Sequence, residues 1–265
     1  MLRGILTLAI ALIFLFSSSL SVWAAPAPVP MQQQLNELAD RAFTATNKGD
    51  FATAETYWTK TIEQFPDNAA AWSNRGNARV SQNKLEEAIA DYNKATELAP
   101  SAPDPYLNRG IAWEGLKQWD KAIADYNRVL EIDASDAAAY NNRGSAKGGS
   151  GDWQGAIADY KKATELASDF AFASGNYALA LYQVGETQEA EKKMRTLLGK
   201  YPNFVDMRAA LTAALWQDRK RDEAQSNWVS VGSSDPRYQD IDWVANIRRW
   251  PPAITSALAG FLKVQ

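Results

Sequence analysis

Ala88-Ile89-Ala90-Asp91-Tyr92 recurs as Ala122-Ile123-Ala124-Asp125-Tyr126 and as Ala156-Ile157-Ala158-Asp159-Tyr160, the same five residues at steps of 34. Around this phrase the alanine extends into a ladder: Ala54, Ala88, Ala122, Ala156, Ala190 and Ala224. Twelve residues ahead runs a second small-residue ladder, Ala42, Gly76, Gly110, Gly144 and Ala178, which reaches Thr212 in the last copy. A period this regular marks one supersecondary unit copied along the chain. Two ladders of small side chains imply two helices per unit in close contact, with Gly76 expected to meet Ala88.

Other slots keep the period. Leu38, Trp72, Tyr106 and Tyr140 enter the first helices; Phe51, Leu85, Trp119 and Trp153 open the second; Trp58, Tyr92, Tyr126, Tyr160, Met194 and Trp228 follow each alanine by four. Pro66, Pro100 and Pro202 stop second helices, because proline cannot continue a helix without losing a hydrogen bond. These residues resemble the tetratricopeptide repeat over 35–238. The resemblance implies an all-α fold: a right-handed superhelical solenoid of six helix-turn-helix repeats starting near 35, 69, 103, 137, 171 and 205 and ending at 232, then a helical cap over 233–265. Copies five and six drift, with Ser174 and Arg208 where an aromatic is expected.

Composition narrows the chemistry. The 265 residues include no cysteine and no histidine, which removes disulfides, thiol nucleophiles, imidazole bases and most zinc sites. We therefore expect no enzyme, no cofactor and no metal. The formal charge is -3 and no basic stripe stands out, so nucleic acid is not an expected partner.

Residues 1–24 read as a secretory signal peptide: Arg3, an uncharged run over 4–16, three serines, then Val22-Trp23-Ala24 before a cut ahead of Ala25. An uncleaved anchor is the alternative, and the only expected route to a membrane. Residues 25–34 read as a flexible leader.

Asn74-Arg75-Gly76, Asn108-Arg109-Gly110 and Asn142-Arg143-Gly144 suggest an arginine ladder for an acidic peptide. Asp91, Asp125 and Asp159, sixteen residues on, suggest ion pairs within each repeat instead, and both members vanish together in copies five and six. Pairing is the expected role.

In the resembling family the concave wall takes ligands. Mapped here, the wall comprises Ser73, Asn77, Leu107, Ile111, Asn141, Ser145, Leu179, Tyr182 and Trp216, where amides and apolar groups suit an extended peptide or a helix. Trp216 is the favoured anchor; contact with the cap is its other reading. Gly148-Gly149-Ser150-Gly151 lacks the lysine of a phosphate loop and is expected to shorten the first helix of copy four and widen the groove. Beyond Gly232, residues 240–249 and 253–262 read as helices that cap the array or, around Trp243, Arg248, Arg249 and Trp250, form a docking surface.

The Arg-Arg-Trp-Pro-Pro stretch is similar to a group of cyanobacterial and chloroplast-lumen repeat proteins. The expected function is an exported scaffold, in the thylakoid lumen or periplasm, whose open groove binds a protein or peptide during assembly of envelope or thylakoid complexes. The alternatives are a structural bridge using the convex face and cap, or a membrane-anchored periplasmic adaptor.

Overall fold

The computed structural model describes residues 30–264. The expected signal segment, 1–24, and the first half of the expected leader, 25–29, lie outside the described residues. Among the described residues the chain forms fourteen α-helices and no strand. Twelve make six hairpins: α1 (Met31–Asn47) with α2 (Phe51–Gln64), α3 (Ala69–Val80) with α4 (Leu85–Leu98), α5 (Pro103–Gly115) with α6 (Trp119–Ile132), α7 (Ala137–Ser150) with α8 (Trp153–Leu166), α9 (Ala171–Gln183) with α10 (Thr187–Lys200), and α11 (Val205–Gln217) with α12 (Arg221–Ser234). A 3-10 turn at Pro236–Gln239 leads to α13 (Ile241–Asn246) and α14 (Pro252–Leu262). Two expected boundaries shift. Residues 31–34 belong to α1 rather than to a leader, and α12 runs past 232.

Local chemistry sets the helix ends. Asp50, Asn68, Asp136 and Asp152 accept backbone N–H bonds from Thr53, Ala71, Ala139 and Gly155, satisfying donors that a first turn leaves unpaired. The turn inside every hairpin holds one left-handed residue: Gly49, Asn83, Lys117, Gly151, Gly185 and Arg219, again at steps of 34. Only half are glycine, so this third ladder has no clear mark in the sequence.

The glycine ladder has a tighter neighbour than the alanine expected to face it. A Cβ on Gly76 would lie 2.6 Å from the Tyr92 ring, and one on Gly110 would lie 2.6 Å from Tyr126. The missing side chain makes room for the tyrosine of the second helix, and at Gly144 the expected alanine is close as well, with Ala156 O at 3.2 Å. Gly148 and Gly149 likewise do not shorten a helix. They lie inside α7, where the rings of Trp153 and Trp119 pack 2.8 Å from where their Cβ atoms would sit.

Successive first helices touch one another, α3 with α5, α5 with α7 and α7 with α9, so they line the inner side of the curve. The residue after the alanine reaches the next repeat in two ways. Ile89 packs in a cluster with Trp113 and Leu116, whereas Glu55 accepts hydrogen bonds from Arg79, Gln82 and Lys84. Glu191 in repeat 5 repeats the ionic version with Lys220.

Each arginine of the three triplets forks onto its aspartate. Nη2 lies 2.7, 2.6 and 2.7 Å from the carboxylate in Arg75–Asp91, Arg109–Asp125 and Arg143–Asp159. The guanidinium also stacks on Trp72, Tyr106 and Tyr140. Its remaining nitrogen reaches back to Thr59, Asn93 or Asn127 of the preceding repeat. These arginines therefore join repeats as well as hairpins, a link the sequence reading lacked. The aspartate bonds hold the Arg109 and Arg143 guanidiniums above their ordinary pKa.

Candidate functional site

The inner wall is covered at one end by the chain itself. Helix α14 lies against α11 and, less extensively, α9. Phe261 stacks edge-on against both Trp216 and Trp228, with centroids 5.5 and 5.3 Å away. The side chain of Gln183, at the end of α9, accepts the Ala253 N–H at 2.8 Å and so caps α14. The expected open trough is thus closed over repeats 5 and 6.

The reason is visible in α11. Asp206, Met207 and every residue from Ala209 to Leu215 are buried. A helix that is apolar all round requires cover on every side, and α14 supplies the inner cover that a solenoid neighbour does not. That absence of a polar face was the available signal.

Between α13 and α14 the chain turns at Arg249, held at φ 55°. The turn sends its neighbours to opposite walls. Arg248 donates to Asp206 from Nε at 3.0 Å and Nη2 at 2.9 Å. The same carboxylate accepts from the Trp250 indole at 3.1 Å and from the Tyr238 hydroxyl. Arg249 instead reaches Glu114 on α5, with Nη1 3.2 Å from Oε2. Tyr126 donates its hydroxyl to the other oxygen of Glu114. Burial raises the Glu114 pKa, with Tyr126 and Arg249 opposing that shift.

This bridge encloses a cleft of about 820 Å³ between the 245–252 segment and the inner ends of α5, α7 and α9. Trp119, Trp153 and Phe172 give it aromatic surface, Asn141, Ser145 and Asn176 give it amide and hydroxyl groups, and Lys117 stands exposed at its rim. Aromatic faces with a few convergent polar groups are the usual makeup of a recognition site.

The wall residues separate into two groups. Asn77 and Ile111 are exposed, Leu107 is half-buried, and Ser73 is buried. Asn141, Ser145 and Leu179 line the cleft. Some of the polar atoms are already engaged: Tyr92 donates to Asn77, Tyr160 to Ser145, and Asn176 to Asn141. Tyr182 is buried, and Trp216 sits against Phe261, so it serves the cap contact rather than an open groove. Trp243 stacks on Tyr238, and Arg248, Arg249 and Trp250 face the cleft, so this part of the alternative docking surface belongs to the cleft wall. Glu114 and Asp206, the carboxylates that organise the site, were missed, because neither stands in a repeated slot.

Family models for the TPR repeat match residues 76–116 and 115–148, and another for the tetratricopeptide repeat matches 141–203. No curated protein matches the chain. Among solved structures, a tetratricopeptide repeat protein from Parabacteroides merdae is similar at 22% identity and TM-score 0.67, covering 88% of this chain and 86% of its own. TTC0263 from Thermus thermophilus matches at 16% identity and TM-score 0.57, covering 69% and 99%. YrrB, described as a TPR protein with an unusual peptide-binding site, matches at 22% and 0.53, covering 68% and 92%. At these identities the likeness concerns the fold. Among the described residues no group of three or more acidic side chains is placed to hold a metal, and no helix is long and apolar enough to cross a membrane.

Proposed function

We propose that this chain, whose residues 76–203 match tetratricopeptide-repeat models and whose fold is similar to a solved tetratricopeptide-repeat protein, is a non-catalytic scaffold holding a protein or peptide along the inner wall of repeats 1 to 4 and in the cleft beneath the 245–252 segment. The observation that carries this is the cleft: aromatic and amide groups converge there, while Ile111 just outside it is 42% exposed. The peptide-binding description of YrrB supports the same use of the fold. The signal-like pattern of residues 1–24 and the likeness of Arg248-Arg249-Trp250-Pro251-Pro252 to lumenal repeat proteins support export to a thylakoid lumen or periplasm and a role in assembly there.

A structural bridge is the second reading, favoured by Val229 and Ile247, apolar and about two-thirds exposed on α12 and just after α13. A photo-crosslinking residue placed singly at Ile111, Phe172, Val229 or Ile247 in the native cell separates the two. Capture at Ile111 and Phe172 is expected. Capture confined to Val229 and Ile247 overturns the groove reading, and recovery of the chain in the cytosol overturns the export reading.

A further inference from the structure

Glu114 is a carboxylate that the repeat array buries without neutralising. The same slot holds Val80 in repeat 2 and Gly148 in repeat 4, and the array itself gives Glu114 only the Tyr126 hydroxyl. Its cation comes from a residue 135 positions away. Arg249 makes that contact with one nitrogen at 3.2 Å, from a side chain 49% exposed. Its backbone is left-handed, the only non-glycine case outside the six hairpin turns among the described residues. Arg248 is held far better, by two nitrogens on a carboxylate that also ties down Tyr238 and Trp250. The tail is thus anchored at Asp206 and only reaches to Glu114.

A buried carboxylate in a cleft that also offers the rings of Trp119, Trp153 and Phe172 is chemistry that recognises a guanidinium, through a charge-assisted hydrogen bond and cation–π contact. The chain carries a formal charge of -3, which steers basic segments toward it. We propose that Glu114 is an arginine receptor in the groove wall, filled by Arg249 in the free protein and by an arginine of the partner on binding. The proposal rests on the groove reading above and adds the partner's chemistry: an arginine beside an aromatic residue and proline, as in the chain's own Arg249-Trp250-Pro251-Pro252. Lys117 at the rim adds positive charge, whereas Arg248 is neutralised by Asp206. An acidic segment would use Lys117 and Arg249 instead, and the test below distinguishes it.

The probe is a fluorescein-labelled Arg-Trp-Pro-Pro peptide, titrated by anisotropy into the full chain, with a Glu-Trp-Pro-Pro peptide as the opposite charge. Arg249→Ala is expected to bind the arginine peptide about fivefold more tightly than the natural chain, because the receptor no longer spends its time occupied. Glu114→Gln, which keeps the acceptor for Tyr126, is expected to lose that binding in both backgrounds, with thermal melts confirming the fold. No gain in Arg249→Ala, no loss in Glu114→Gln, or preference for the glutamate peptide overturns the receptor. If Glu114→Gln fails to fold, the gain or its absence in Arg249→Ala decides alone. Crosslinking at Ile111 that survives Glu114→Gln leaves the groove reading standing while this one falls.

Discussion

In repeats 2 to 4 the hairpins are joined by buried aspartates, each forked onto an arginine that also stacks on an aromatic ring and reaches the preceding repeat, and Asn77 and Ile111 remain exposed on the inner wall. In repeats 5 and 6 both partners are gone. Lys193 stands over the Tyr177 ring, Arg208 donates to the Pro202 carbonyl, and α11 is largely buried, with α14 packed against it. The first region spends its polar groups on register and leaves its wall open. The second gives up its wall to be covered, because apolar helices without paired charges gain most from burial. The difference teaches that one repeat can serve as a docking surface or as a foundation, and that the choice shows in whether its first helix keeps a polar face.

The sharpest way to break this comparison is to remove the central contact of each region. Phe261→Ala, at a fully buried ring between Trp216 and Trp228, should cost about 3–5 kcal/mol. Hydrogen exchange should show the loss confined to repeats 5 and 6. Arg109→Ala strands the buried Asp125 and should also cost about 3–5 kcal/mol, now in the middle of the array. Lys193→Ala, the corresponding change to the repeat 5 cation–π pair, should cost under about 1 kcal/mol in a thermal melt. Equal effects of Arg109→Ala and Lys193→Ala would show that the two regions are held alike.

Close packing gives a smaller contrast. A methyl on Gly76 would lie 2.6 Å from the buried Tyr92 ring, but one on Gly175 would lie 3.2 Å from the Met207 thioether. An aromatic ring locked in a core has nowhere to go, whereas methionine readily changes rotamer. Gly76→Ala should therefore lose about 1–3 kcal/mol by denaturant titration and Gly175→Ala clearly less.

The smallest effect concerns acid. Burial opposes ionisation of Glu55, but Lys84, Arg79 and Gln82 outweigh it and hold its pKa down to about 2. Its folded pKa is below its unfolded value, so the stabilisation is present above about pH 4.5 and is lost as the pH falls toward 2. Exchange protection where repeat 1 meets repeat 2 should fade over that window, whereas the Ile89 contact between repeats 2 and 3 should not change. Glu55→Gln should abolish the pH dependence at this junction.

Most of the fold was legible because its determinants repeat. The alanine and glycine ladders locate all six hairpins, and the joint disappearance of Arg and Asp from copies five and six points to pairing. The left-handed turn residues were not legible, since Lys117 and Arg219 occupy a position that glycine fills elsewhere. The site was legible only in part, for a related reason. Period analysis finds what is copied, and Glu114, Asp206 and the inward turn at Arg249 occur once each. Hydropathy offered one overlooked clue: α11 carries almost nothing polar in its middle, which an uncovered groove wall would not tolerate.

The bond from Arg249 back to Glu114 has a temporal consequence. Junctions between successive hairpins can form as soon as two hairpins exist, so assembly of the array can proceed from the beginning of the chain by local steps. The last contact cannot form until residue 249 has emerged, more than a hundred positions after its acceptor. Until then the carboxylate of the third hairpin has only the Tyr126 hydroxyl and the cavity lacks its 245–252 wall, so the unfinished polypeptide is more open to a passing cation than the finished one.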